Sequence, residues 1–352
     1  MLANQRKIYG FDYLRAVCCI LVVIWHFKLF DFLNPDNQLT SFVNIFYYNI
    51  SLLAVPIFFQ ISIFLFYLSR AGKKDYLLKS RLPKLLKLYV FWLFFSVIFS
   101  FLVLKDKDFT FLKGIKNLVL FIVTGNNSLF YYLFSLIFVI VIAEIVFRFS
   151  AQVSNQKKLH CILFFVSSTI VLLLPLAGLS IKQLASLSAY WNPLNFIPYI
   201  FSSFLLAINF TKPDNIATKN LFDKSLFIVA LVILILVFTN WEWQYLNSSQ
   251  IWGGGEYILP PYSRLSLIFS ALLLTCLALD FPYKSPRLIE LVSDCSLGIY
   301  CLHTFLKVLL SKLLNISDST FLPKILLFII TIALSIALTR FFRRVKFLKS
   351  FI

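Results

Sequence analysis

FDYLRAVCCILVVIWHF (residues 11–27) is oily along most of its length, yet it carries Asp12, Arg15 and His26. Roughly 20 apolar residues carry an α-helix across the hydrocarbon of a bilayer, so the stretch reads as a first membrane span. An acid, a guanidinium and an imidazole are costly in lipid and by default face a protein interior or a wet cavity. At 3.6 residues per turn, Arg15 and His26 fall about 20° apart on one face, and Asp12 lies about 60° from Arg15, one turn below it. The same geometry puts about 16 Å of helix axis between Arg15 and His26. The spacing therefore predicts one inward-facing polar stripe, with Arg15 at one membrane edge and His26 deep in the opposite half.

The rest of the chain agrees with a lipid solvent. Of 352 residues, 60% are hydrophobic and 14% charged, and Phe alone occurs 41 times. Mean hydropathy is +0.86. A soluble domain is about half apolar and a quarter charged, which sets aside a soluble α/β protein with buried strands. The net charge of +18 would suggest nucleic acid in a soluble protein. In a membrane protein it marks cytoplasmic loops, and no nucleic-acid partner is expected. The six cysteines, at 18, 19, 161, 276, 295 and 301, lie mostly inside apolar runs without metal-ligand spacing. They read as small buried hydrophobes. No short apolar run is followed by a small-residue cleavage site near the N-terminus, so the first span is expected to be retained.

Ten spans are predicted, near 12–31, 43–69, 86–104, 129–148, 160–180, 194–210, 225–240, 263–280, 294–312 and 324–341, in a single domain over 1–352. The second is long and open to a break at Pro56. FTFLKGIKNLVLFIVTG (109–125) is short and amphipathic, and reads as an interfacial or re-entrant piece. With the N-terminus inside, roughly two thirds of the 33 Lys and Arg fall on the inner side, which predicts an all-α bundle with both termini cytoplasmic. Glu144 and Arg148, four apart, are expected to pair; His160 is given no role. The segment NWEWQYLNSSQIWGGGEYILPPY (240–262) is predicted to be the longest outer loop.

Asp12-Tyr13-Leu14-Arg15, ten residues and then His26 resembles the opening of the acyltransferase-3 superfamily, multi-pass membrane enzymes that acylate sugars, lipids and peptidoglycan. Further matches follow in the family's order. VPIFFQISIFLFYL (55–68) is similar to a second-span stretch in which two Phe precede Ser-Gly-Phe; Ser62 is present, and Ile63 stands for the Gly. KSRLPKLLKLYVFW (79–92) puts Arg81 and Lys84 where an Arg-x-x-Arg motif is expected. TGNNSLFYYL (124–133) has Gly125 and Ser128 at Gly-x-x-Ser spacing, with Phe130 where a Trp is usual. DCSLGIYCLHTFL (294–306) is similar to a late-span Ser-x-x-x-Tyr-x-x-His pattern through Ser296, Tyr300 and His303.

The resemblance implies acyl-CoA as a cytoplasmic donor substrate, with no permanently bound cofactor and no metal, and His26 as the catalytic residue. Arg81, Lys84 and Arg15 are then the candidates for the CoA phosphates, within the basic run Arg70–Lys87. Lys84 keeps the charge of the family's Arg but loses its bidentate fork. The pantetheine arm is expected to thread inward from there to His26. His26 could act as general base or carry the acyl group covalently. Asp12 is expected to orient Arg15. Ser62, Ser128 and Tyr300 are candidate oxyanion donors, and His303 a second intramembrane imidazole. Trp241 and Glu242, with Trp243, Tyr245, Trp252, Glu256 and Tyr257, are candidates to bind a sugar acceptor; Trp and Tyr at a membrane edge also form an ordinary interfacial belt.

The leading expectation is a membrane O-acyltransferase, acetyl in type, acting on a cell-envelope glycan or lipid-linked sugar in a bacterial inner membrane. The alternative is a polysaccharide or lipid-linked-sugar transporter without catalysis, which should show repeats with matching broken segments; none is evident. A non-catalytic assembly partner is a third reading, and it leaves the Asp12, Arg15 and His26 face unexplained. Oligomeric state is open.

Overall fold

The computed structural model describes residues 7–33, 42–105, 110–126, 128–181, 187–211, 220–249, 258–315 and 321–352. All regular structure among them is helical. Helix α1 (Tyr9–Phe27) closes at Lys28, whose left-handed backbone lets its N–H reach the carbonyls of Ile24 and Trp25. The long second span is α2 (Phe42–Asn49), a tight turn at Ser51–Leu53, and α3 (Ala54–Ala71). The break falls just ahead of Pro56, because proline is tolerated in the first turn of a helix, where its missing N–H has no intrahelical partner. Then come α4 (Leu82–Phe99), flanked by wide turns Leu77–Arg81 and Ser100–Leu104, and α5 (Ile115–Thr124). The remaining helices are α6 (Tyr131–Ser150), α7 (Gln156–Ser180), α8 (Pro198–Phe210), α9 (Asn220–Trp241), α10 (Leu265–Leu279), α11 (Arg287–Leu313) and α12 (Phe321–Arg344).

Among the described residues, nine helices are long and apolar enough to cross a membrane. They account for nine of the ten expected spans. The tenth, α10, has only 15 residues, a rise of about 22 Å. It can be short because it is central: Ile268, Ala271 and Thr275 are fully buried, and irregular backbone at membrane depth is tolerated where protein covers it. Helix α5 is shorter still and leaves Ile115, Leu118 and Val119 exposed, as an interfacial piece would. In contrast α9 turns Leu226, Val229, Ile233 and Leu236 outward, a stripe suited to lipid.

Helix α1 lies at the centre, packed on α11, α3 and α10. Gly10 permits this: a Cβ there would stand 2.0 Å from the Ala278 carbonyl oxygen on α10. The core is aromatic, with Phe59 stacked on Phe196 at 4.0 Å and fully buried Trp92 forming a triangle of rings with Phe130 and Phe305. Trp92 also donates to the carbonyl of Phe351, so the turn Leu348–Phe351 folds back onto α4.

Charges inside the bundle are matched across elements. Glu144 accepts from Arg148 at 2.6 Å, as its spacing predicted, and also from Arg70 on α3 at 2.7 Å. Asp12 is buried and accepts from Ser285 at 3.0 Å and Ser293 at 3.1 Å, with Lys7 at 3.2 Å. Lys7 also pairs with Glu290, and the two acids hold its ammonium above the ordinary lysine range, Glu290 most of all. Asp12 thus fastens the start of α1 to α11 and the segment before it; its hydrogen bonds are not spent on Arg15.

The segment expected as the longest outer loop differs in its first part. Helix α9 continues through a wide turn, Glu242–Leu246, and a tighter one, Asn247–Ser249. Trp241 stacks on Tyr245 one turn later at 5.7 Å, and Glu242 is drawn inward by a cation from outside the helix, Arg264. Trp252, Glu256 and Tyr257 lie outside the described residues.

Candidate functional site

The half-buried ring of His26, near the end of α1, faces a cavity of about 350 Å³. Its walls come from several helix ends meeting at one end of the bundle: Val22 and Trp25 on α1, Ser51, Leu52 and Val55 at the start of α3, and Ser128, Leu129 and Tyr131 at the start of α6. Tyr190, Pro261, Tyr262, Tyr300 and Thr304 complete it. That volume suits a small polar ligand or part of a larger one.

Two local devices hold the α6 side. Gly125 takes a left-handed backbone (φ 62°) to end α5, and a Cβ there would meet the Phe130 carbonyl carbon at 2.6 Å. Ser128 then donates to the Gly125 carbonyl and accepts from Phe130 N–H at 3.3 Å. The Gly-x-x-Ser spacing is therefore a turn that starts α6 and presents Leu129 to the cavity. Tyr300 donates to the Leu129 carbonyl, tying α11 to the same turn. From the same end of α6 the Tyr131 hydroxyl donates to Tyr262 at 3.1 Å.

His303 lies one turn beyond Ile299 on α11 and is fully buried. Its ring is 5.1 Å from that of His26, centroid to centroid, at an interplanar angle of 52°. The charged neighbours of His26 are Lys307 and Lys28; Lys307 donates to the His26 carbonyl at 3.1 Å, and Lys28 sits over the Trp25 ring at 4.1 Å.

At the other end of the stripe, Arg15 is half-buried and within electrostatic reach of Arg81, Tyr132, Asp12 and Asp294. The Nε of Arg81 is buried without a hydrogen-bond partner. Two guanidiniums side by side, one with an unused donor, can hold a phosphate. Lys84 stands one turn along α4 and is exposed. Elsewhere in the basic run, Arg70 is taken by Glu144, and Lys79 by Asp75 at 2.8 Å, which holds the Asp75 carboxyl below the usual range.

Between the two ends stand two tyrosines. Tyr132 is hydrogen-bonded with Ser62 and lies in the field of Arg81 and Arg15. Its ring meets Tyr300 edge to face at 5.4 Å. The walls of the His26 cavity include Tyr300 but neither Arg15 nor Arg81. Tyr132 and Tyr300 thus stand between the His26 cavity and the guanidinium end, where the pantetheine arm is expected to pass.

The structure brings His26, Tyr300, Ser128 and His303 to one neighbourhood, and Arg15 and Arg81 to another; Ser62, expected as an oxyanion donor with Ser128 and Tyr300, lies on Tyr132 toward the arginines. It does not bring Glu242 to a sugar site. Glu242 is fully buried: Arg264 Nε donates to it at 2.8 Å, Ser266 N–H at 3.0 Å and Ser266 Oγ at 2.5 Å. Arg264 further donates to the Tyr48 carbonyl and to Asn49 Oδ1, both at 2.6 Å. Trp241 is half-buried in the same helix and does not line the cavity. Two residues were missed. Arg264 lay at the end of a loop and carried no signal of its partner. Ser51 lines the cavity with a buried hydroxyl that lacks a hydrogen-bond partner; its only sequence signal was the polar pair Asn49 and Ser51 interrupting an apolar run.

No curated protein and no solved structure matches the chain. A family match does: residues 8–340 correspond to the acyltransferase domain of the acyltransferase-3 family. That span takes in both ends of the polar stripe and the helices around them, and the chain is a multi-pass membrane acyltransferase of this family.

Proposed function

We propose that the protein is an O-acyltransferase of the acetyl type. It moves an acyl group from cytoplasmic acyl-CoA to a hydroxyl of a cell-envelope glycan or lipid-linked sugar, from a bacterial inner membrane with both termini in the cytoplasm. The observation that carries the reading is the shared face of α1: His26 on a cavity, and Arg15 beside Arg81 about 16 Å away at the other end.

Each end suits one substrate. Arg15 and Arg81, with Lys84 at the rim, match the phosphates of CoA in charge and in hydrogen-bond capacity. His26 suits the hydroxyl, since imidazole titrates near working pH and can take a proton from a sugar OH as its oxygen attacks. The oxygen forms the ester bond with the acyl carbon. The carbon–sulfur bond breaks, the CoA sulfur keeps the electron pair, and the proton held on His26 completes the thiol. A donor for the tetrahedral oxyanion is required as well. Ser62, Ser128 and Tyr300 are each committed to another protein atom; the unpartnered hydroxyl of Ser51 supports it for this role.

Purified protein is to be given radiolabelled acetyl-CoA and a panel of envelope oligosaccharides, beside His26→Ala. Label transfer by the wild type and a loss of about 100-fold or more in the variant is the expected result. Equal transfer by both removes His26 from the chemistry, and no binding of acetyl-CoA by either removes the donor. The transporter alternative gains no support from a specific contact.

A further inference from the structure

An imidazole that acts as a base must present a bare nitrogen to its substrate, so its other nitrogen, carrying the hydrogen, needs an acceptor. In many hydrolases a carboxylate supplies it. Among the described residues, the charged and titratable groups facing His26 are His303 and Lys307 on α11 and Lys28 just beyond α1, with Tyr131, Tyr190, Tyr262 and Tyr300 across the cavity. Among the described residues none of these is a carboxylate, and Asp12 is committed to Ser285, Ser293 and Lys7 at the far end of α1.

His303 has the properties of the missing acceptor. Its Nδ1 lies 2.9 Å from the carbonyl oxygen of Ile299. A carbonyl oxygen only accepts, so Nδ1 carries the hydrogen, and Nε2 of the neutral ring is a bare acceptor. That Nε2 is buried and has no partner. A buried acceptor left alone is unfavourable by about 1–3 kcal/mol, which asks for a function. At 5.1 Å between ring centroids, the two imidazoles are near enough for one nitrogen of each to come to ordinary hydrogen-bond length, about 2.8–3.0 Å. A small rotation of the His26 ring, or one water, closes the contact.

We propose that His303 is a positioning residue: its Nε2 accepts the N–H of His26, directly or through one water, and so fixes His26 with its bare nitrogen toward the cavity. The assignment rests on the reading of His26 as the base. It adds that two neutral imidazoles, not an imidazole and a carboxylate, make up the proton-handling unit. The tautomer of His303 is set by the Ile299 carbonyl, that of His26 by His303, and the chain of donors runs one way from the cavity into α11. When His26 takes the acceptor proton, the charge forms next to a polarisable ring. No further carboxylate is added to the membrane interior.

The chain has only three histidines, so imidazole nitrogens can be read individually. Protein labelled with ¹⁵N-histidine is to be studied in lipid nanodiscs, with His160→Phe to remove the third signal. His26 is expected to hold a single tautomer in the wild type and in His303→Gln, whose amide oxygen can accept. In His303→Phe it is expected to average between tautomers and to change its titration midpoint. Release of CoA thiol from acetyl-CoA should fall about 100-fold in His303→Phe and recover at least tenfold in His303→Gln, with a shifted pH profile. A His26 tautomer and titration unchanged in His303→Phe overturn the proposal. A tautomer locked by His303 together with undiminished turnover in His26→Ala would instead overturn the role of His26 and leave the contact standing. Monodispersity of each variant controls for folding, and the Gln variant keeps the test open should Phe not be accommodated.

Discussion

Arg81 closes the wide turn before α4 and Lys84 lies in the first turn of α4, and burial divides them. Arg81 is half enclosed, holds an unused buried donor and has Arg15 for a neighbour; Lys84 extends into the surroundings. A charge-assisted hydrogen bond contributes about 1.5–3 kcal/mol, whereas an exposed ammonium contributes far less. Arg81→Ala is therefore expected to raise the KM for acetyl-CoA roughly tenfold to a hundredfold, and Lys84→Ala by about threefold or less. Equal effects would mean that the guanidinium does not reach the donor. Lys7 offers a contrast in pH. Its ammonium is held above the ordinary range, so its contribution is complete at neutral pH and is lost only as pH rises through the raised value. At this scale the sequence displayed the polar side chains of the stripe, because charge inside a long apolar run is visible without a structure. It hid their partners. Ser293 and Ser285 hold Asp12 from more than 270 positions away, and the facing of His303 and His26 joins α11 to α1.

At the level of elements, most spans were legible because apolar length is what a bilayer demands. The exceptions have physical causes. Helix α10 is brief because protein, not lipid, surrounds it. The end of α9 stays helical because stacking of Trp241 on Tyr245 and capture of Glu242 by Arg264 outweigh the turn-forming Asn247, Ser248 and Ser249. Aromatic residues near a membrane edge suggested a sugar platform; Glu242 is instead a fastener joining α9, α10 and the end of α2. Removing one member of a buried pair leaves the other charge uncompensated, a loss of about 3–5 kcal/mol. Glu242→Ala should accordingly lower the thermal midpoint in detergent sharply. Glu242→Ala with Arg264→Leu should recover part of the loss. A Glu242→Ala protein of wild-type stability whose only defect is a raised acceptor KM would restore the sugar-binding expectation.

On the scale of the whole molecule, every helix that contributes a wall to the His26 cavity does so at the same end of the bundle, and Arg15 and Arg81 lie toward the other. Positive-inside charge assigns the arginine end to the cytoplasm. Single cysteines introduced at Lys74 and at Lys312, in a protein whose native cysteines are replaced, test this with a membrane-impermeant thiol reagent on intact cells. Lys312→Cys should react and Lys74→Cys should not; the reverse pattern inverts the topology and with it the side on which the donor arrives. Charge counting can propose an orientation, since it sums over loops, but it carries no sign of the Tyr132–Tyr300 contact. That contact depends on two aromatic rings from different helices, α6 and α11.

The Tyr132–Tyr300 contact has a consequence for the cell's energetics. A protein open at once to the cytoplasm and to the far side of the membrane would dissipate the ion gradients that the membrane maintains. With the two rings edge to face, Tyr132 and Tyr300 form a phenolic septum between the His26 cavity and the guanidinium end. Only an inserted pantetheine arm need part it, and that arm would itself fill the gap. Proteoliposomes carrying the wild type should therefore hold a proton gradient, and those carrying Tyr132→Ala with Tyr300→Ala should lose it faster.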